Sequence, residues 1–294
     1  MKAGIIIPQG WIGEFAGWEP RAAWERALAV AQQAERLGFE SVWAFDHFHT
    51  TPEPSDELTF ESFTLLTALS QRTERVRLGQ IVLCAGYRNP ALVAKMLSTL
   101  DVLSGGRMEL GIGAGWKRDE WEAYGYGFPS TRERIDGLQD ALEVVSRMLG
   151  HGHATYQGKR ASVKDAINLP KPMQRPRPPI KVGGNGRERT WRLAPRYADE
   201  LNLDALAPDD LPEALSVIAS RCEEIGRDPA SLRVSLHVWW EQLPPAGARR
   251  VELLGRLGSL GLARVMTLVR ESVDSDEALE SFAADCAGAG VVLG

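Results

Sequence analysis

Residues 21–47 read RAAWERALAVAQQAERLGFESVWAFDH, and the fold turns on them. Trp24, Ala27, Leu28, Ala31, Ala34 and Leu37 recur at the three-to-four residue spacing that lines one helical face, so a helix is predicted over Arg21–Leu37. Gly38 follows, the residue type that best tolerates the left-handed backbone closing a helix. Ser41–Phe45 is then a short, almost wholly apolar run. Such a run suits a strand buried on both faces, as in a parallel sheet covered by helices. Helix, glycine and buried strand make one unit of a βα repeat. The strand delivers Asp46 and His47 into the loop beyond it.

The unit recurs along the chain. Strands are predicted at Gly4–Ile7, Ser41–Phe45, Val76–Leu83, Arg107–Ile112, Ile180–Val182, Glu200–Leu203, Arg233–Trp239 and Arg264–Leu268. Helical patterns lie between them at Pro90–Leu103, Arg132–Leu149, Asp209–Ile225 and Ala278–Cys286, with another running through Tyr197. Eight strand–helix units in a chain of 294 residues predict a closed (β/α)8 TIM barrel over residues 1–294, with an insertion after strand 4. An open doubly wound sheet is the alternative. The insertion is residues 151–178, where Tyr156–Lys159 reads as a hairpin turn and the prolines from Pro170 to Pro179 require extended chain.

Composition narrows the function classes. Hydrophobic residues are 44% and charged residues 25%, which leaves ample apolar material for a large core and excludes disorder as the main state. The net charge of −5 argues against nucleic acid or an anionic membrane as partner. With mean hydropathy −0.21 and no long apolar run, no membrane span or secretory leader is expected. Cys84, Cys222 and Cys286 are too scattered for a disulfide framework. A cytoplasmic enzyme acting on a small molecule is the expectation.

In a barrel the chemistry sits at the C-terminal ends of the strands. Asp46 and His47 end the second, placing a group that titrates near neutrality beside a carboxylate. The plainer alternative makes Asp46 a turn cap and His47 a packed loop residue. Asp46-His47-Phe48-His49 also invites a metal reading, but His151, His153 and His237 do not complete a ligand set, and no metal site is expected. Gly79 within the third strand reads as a bulge or a close approach. Gly111, Gly113 and Gly115 bare the backbone at the fourth strand end, beside Ala114 and Trp116. Gly183 and Gly184 do the same at the fifth, ahead of a helix whose N-terminus suits an anion. Each block alone also reads as turn glycines, but two glycine-rich strand ends in one barrel favour a phosphorylated ligand. Trp116 is a candidate pocket wall, whereas Trp43 and Trp239, placed on strands, are expected in the core.

With these residues in view, the chain resembles the bacterial-luciferase-like flavin enzymes, and within them the oxidoreductases that use the deazaflavin coenzyme F420. The resemblance runs through the block Leu103–Trp116, the stretch Arg88–Lys95, the pair Asp46-His47 and Pro178–Gly184. It implies a barrel, often a homodimer, with the cofactor at the mouth. It implies that His47 is catalytic and faces the reactive centre of the ring, that Asp46 is a cofactor ligand, and that Ile81-Val82 is a bulge with a cis peptide behind the ring. Gly113, Ala114, Gly115, Trp116, Gly183 and Gly184 would lie along the cofactor. The sugar-phosphate dehydrogenases of the family carry an acid where this chain has Trp116, and a tryptophan where it has His49-Thr50-Thr51, so their mechanism is not expected here. The expected reaction is hydride transfer between F420 and a small organic substrate. An FMN-dependent monooxygenase and a non-catalytic flavin- or F420-binding barrel stand as alternatives.

Overall fold

The computed structural model covers residues 1–294. Eleven strands form, in chain order β1 (Lys2–Ile6), β2 (Ser41–Ala44), β3 (Arg77–Gln80), β4 (Leu83–Cys84), β5 (Met108–Gly113), β6 (Ala154–Gln157), β7 (Ser162–Ala166), β8 (Ile180–Gly183), β9 (Glu200–Asp204), β10 (Arg233–His237) and β11 (Arg264–Thr267). Parallel pairing runs β3-β2-β1-β11-β10-β9-β8-β5, and β5 pairs back onto β3. The ring closes on itself, so the open doubly wound alternative falls and the (β/α)8 barrel stands. β3 and β4 share one barrel position, interrupted at Ile81-Val82, where the peptide bond is cis.

Nine helices wrap the ring: α1 (Pro20–Arg36), α2 (Ser62–Ser70), α3 (Pro90–Leu103), α4 (Arg118–Ala123), α5 (Thr131–Leu149), α6 (Thr190–Tyr197), α7 (Leu211–Glu223), α8 (Ala248–Ser259) and α9 (Glu277–Gly288). Proline opens α1 and α3 at a position where its missing N–H costs nothing. Ser130 and Glu133 cap α5 reciprocally. Helices α2, α4 and α8 were not expected from sequence. In the insertion, β6 and β7 form the anticipated antiparallel hairpin.

The barrel floor is ionic. Glu109, Lys181, Glu200 and Arg264 start or nearly start their strands, which puts them all at the N-terminal end. Lys181 Nζ lies 2.8 Å from Glu200 Oε1 and 3.7 Å from the centre of the Trp43 ring. Arg264 reaches Glu109 at 3.0 Å and Glu40 at 2.8 Å. Burial drives the Lys181 ammonium down to about 8, against the pull of Glu200. Charges this deep are paired because the interior cannot solvate them singly. The floor is plugged, and open space remains at the opposite mouth.

Candidate active site

At that mouth a cavity encloses about 940 Å³ of empty space, counting its opening. Asp46, His47, Ile81, Val82, Gly113, Ala114, Gly115, Trp116, Gly183 and Gly184 all line it. Residues spread over 139 positions of sequence thus meet because each ends a strand at the same rim.

His47 is held on several sides. Its Nδ1 lies 2.7 Å from Glu120 Oε2. A carboxylate only accepts, so Nδ1 carries the hydrogen and Nε2 is left free. Trp11 stacks on the imidazole at 3.9 Å and 3°. Glu120 itself is fully buried. It accepts the Phe48 N–H at 3.0 Å and the Tyr87 hydroxyl at 3.1 Å. Burial alone would raise its carboxyl. The hydrogen bond and charge of His47, then Phe48 and Tyr87, outweigh that and hold it below the ordinary value. Burial, together with Cys84 and Glu120, pushes the Tyr87 phenol far up. Burial likewise pushes the Cys84 thiol up to about 12, so no thiolate serves this cavity.

Asp46 is saturated by its own chain. Oδ1 accepts Ser62 Oγ at 2.9 Å and Arg88 at 2.9 Å, and Oδ2 accepts the Cys84 N–H at 2.8 Å and Arg88 at 2.8 Å. The geometry makes it an anchor that ties β2 to the segment after the bulge. His49 bonds to Asp119 at 3.1 Å and is not among the cavity residues. No group of three or more His, Cys, Asp or Glu is arranged to hold a metal ion.

The glycines divide by role. A Cβ on Gly113 would lie 2.8 Å from Val82 Cγ2, and one on Gly183 would lie 2.8 Å from Val82 Cγ1, so both let Val82 into the mouth. Gly79 admits the Trp43 ring, and Gly111 sits against the Gln80 carbonyl. Gly115, at φ +78°, has Cys84 Sγ and the Trp121 indole where its side chain would go. Gly184, at φ +123°, has only Thr190 Cγ2 near it, at 3.7 Å, and its backbone is open to the cavity.

Sequence reasoning missed four residues that matter: Tyr87, Asp204 and His237, which line the cavity, and Glu120, buried behind His47. Glu120 lies on α4, a helix too short to show periodicity. Trp239, expected in the core on a longer strand, is instead a half-buried cavity wall. The β10 ladder ends at His237, and Trp239 caps a short 3-10 turn by exchanging hydrogen bonds with Gln242. His237 is thereby a second histidine at a strand's C-terminal end, beside His47.

A family model described as luciferase-like monooxygenase matches residues 6–239, a stretch that carries most of this rim. The chain belongs to the luciferase-like family. Within it, an F420-dependent glucose-6-phosphate dehydrogenase of Microbacterium testaceum is 35% identical over 167 residues, 56% of this chain and 48% of that protein. The chain thus aligns with about half the length of that relative. An uncharacterised protein of Mycobacterium tuberculosis is 30% identical over 240 residues, 76% of this chain and 83% of that protein. Among solved structures, an F420-dependent secondary alcohol dehydrogenase in complex with an F420–acetone adduct superposes with a TM-score of 0.78. It is 20% identical and covered over 98% of its length, against 95% of this chain, a likeness that speaks for the luciferase-like fold.

Proposed function

We propose that this chain is an F420-dependent oxidoreductase that moves a hydride between the deazaflavin and a small organic substrate, with His47 as the group that takes or gives the proton. One observation carries the reading: His47, oriented by Glu120 on Nδ1 and left with Nε2 unpaired, lines a cavity with bare backbone on one wall. The cavity fits a flat cofactor with a phosphate-bearing tail. Gly183, Gly184 and the Thr190 hydroxyl would hold the anionic part, at the positive end of α6. Ile81, Val82, Gly113, Ala114 and Gly115 would back the ring, with Trp116, 62% exposed, at the entrance. Bound there, the deazaflavin supplies a two-electron hydride carrier. His47 does the remaining work: its Nε2 takes the hydroxyl proton of a substrate being oxidised, or returns one to a carbonyl being reduced. Glu120 keeps Nδ1–H in place and stabilises the imidazolium formed.

The Microbacterium relative supports the cofactor by name, and the secondary alcohol dehydrogenase matches in fold. Trp116 stands where the sugar-phosphate dehydrogenases carry an acid, which favours a different substrate. No helix is long and apolar enough to cross a membrane, and the three cysteines are free and buried, which suits a reducing cytoplasm. A single barrel domain is our reading of the whole chain. It pairs as a homodimer through the outer face of α3 and the segment after β7 that lies against it, where Leu92 and Leu103 of the helix and Leu169 and Met173 of the segment are about half exposed.

Replacing His47 by Ala tests the reading. Turnover of oxidised F420 with an alcohol panel should fall by about 10²-fold or more, with the affinity for F420 changed little. Normal turnover in the variant would overturn the role of His47.

A further inference from the structure

His237 is the second imidazole of the cavity, and the reaction at His47 leaves it unused. It ends β10 and is 4% exposed. Its Nδ1 lies 3.0 Å from Asp204 Oδ1, which also accepts the Trp239 indole N–H at 2.9 Å. Asp204 is fixed in turn, because its backbone exchanges two hydrogen bonds with the Asn185 side chain. With a carboxylate on Nδ1, that atom carries the hydrogen and Nε2 presents a lone pair. Nε2 is buried and has no hydrogen-bond partner in the protein. A buried acceptor left unpaired is costly, and a residue that lines a cavity has a ligand as its natural donor.

Position in the ring says which ligand. β10 stands four places from β3 in either direction, so His237 lies across the mouth from the Ile81-Val82 bulge. The Phe45 ring stands between the two histidines, 6.5 Å from His47 and 5.7 Å from His237. A flat ring laid on the bulge leaves the His237 side to whatever sits over it.

We propose that His237, oriented by Asp204, accepts a hydrogen bond from a substrate hydroxyl remote from the reacting carbon. The substrate class is then an alcohol with at least two hydroxyl groups. This rests on the F420 reading above. At the reacting carbon the C–H bond breaks and its electron pair leaves as hydride to oxidised F420. The O–H proton goes to His47 Nε2, and the C=O double bond forms. The second hydroxyl is bound and unchanged. His237 thus determines specificity, and Asp204 positions it.

The test compares cyclohexanol with 1,4-cyclohexanediol as probes, using wild type, His237→Phe and His237→Gln, with F420 affinity read separately by fluorescence titration. The wild type should favour the diol by about tenfold in kcat/KM, the size of one net hydrogen bond. His237→Phe should lose the preference through a raised KM for the diol. His237→Gln, whose amide oxygen can accept in place of Nε2, should keep part of it. F420 affinity should stay within about twofold in both variants, less than a typical lost hydrogen bond would cost. An equal diol preference in wild type and His237→Phe overturns the proposal. So does a fall in F420 affinity that parallels the loss of preference, which would make the imidazole a cofactor contact. If F420 binds and neither alcohol is oxidised, the hydroxyl assignment fails while the cofactor reading survives. If F420 does not bind at all, the cofactor reading fails first and takes the proposal with it.

Discussion

Glu120 decides how His47 behaves. Its carboxylate is the acceptor that selects the imidazole tautomer, and its own carboxyl is held below the ordinary 4.5. A carboxyl lowered on folding stabilises the fold fully above its unfolded value, and that contribution is lost as pH falls through the lower folded value. The wild type should therefore exceed Glu120→Gln in stability near neutrality, and the difference should begin to shrink once pH falls below about 4.5, closing below the lowered folded value. Urea midpoints across pH check this. Turnover in Glu120→Gln should fall by about 10- to 100-fold, because the amide no longer enforces one tautomer. A variant matching the wild type in both would leave Glu120 a spectator. At this scale the sequence was half legible. Asp46-His47 announced itself at a strand end. Glu120 did not, because nothing in a run of Arg, Asp and Glu says which carboxylate turns inward.

The strand ends were legible because barrel strands are continuous apolar runs, and a glycine inside one needs a reason. Gly111 shows the reason: a Cβ there would meet the Gln80 carbonyl, backbone that cannot step aside. Gly111→Ala should destabilise the barrel by about 1–3 kcal/mol. Gly137, inside α5 with nothing within 4 Å of an added Cβ, is the contrasting site. Gly137→Ala should stabilise by about 0.5–1 kcal/mol through helix propensity and a less flexible unfolded chain. Chemical denaturation of both variants measures the difference, and equal effects would contradict the packing argument. The end of β10 was misjudged because Val238 and Trp239 extend its apolar pattern although the ladder has stopped. The hydrogen bonds between Trp239 and Gln242 that end it are invisible to periodicity. The missed helices have a similar cause, since α2 is apolar on nearly every side and α4 is barely a turn and a half.

Over the whole molecule, closure of the ring explains why distant residues share a cavity and why the opposite end is sealed by ions. The order of strands was readable. The ionic floor was not, since Glu109, Lys181, Glu200 and Arg264 meet only once the barrel closes. The apolar face formed by α3 and the segment after β7 carries an expectation of its own: Leu92→Glu with Leu169→Glu should convert a dimer to monomers in light scattering, with the fold intact. A monomeric wild type would remove that interface. The choice of cofactor is decided by a titration of the purified protein with F420 and, in parallel, with FMN. Saturable binding of F420 at least about tenfold tighter than FMN is expected, weakened in Gly184→Val, where a branched side chain would occupy the open wall. Saturable FMN binding with none of F420 would contradict it.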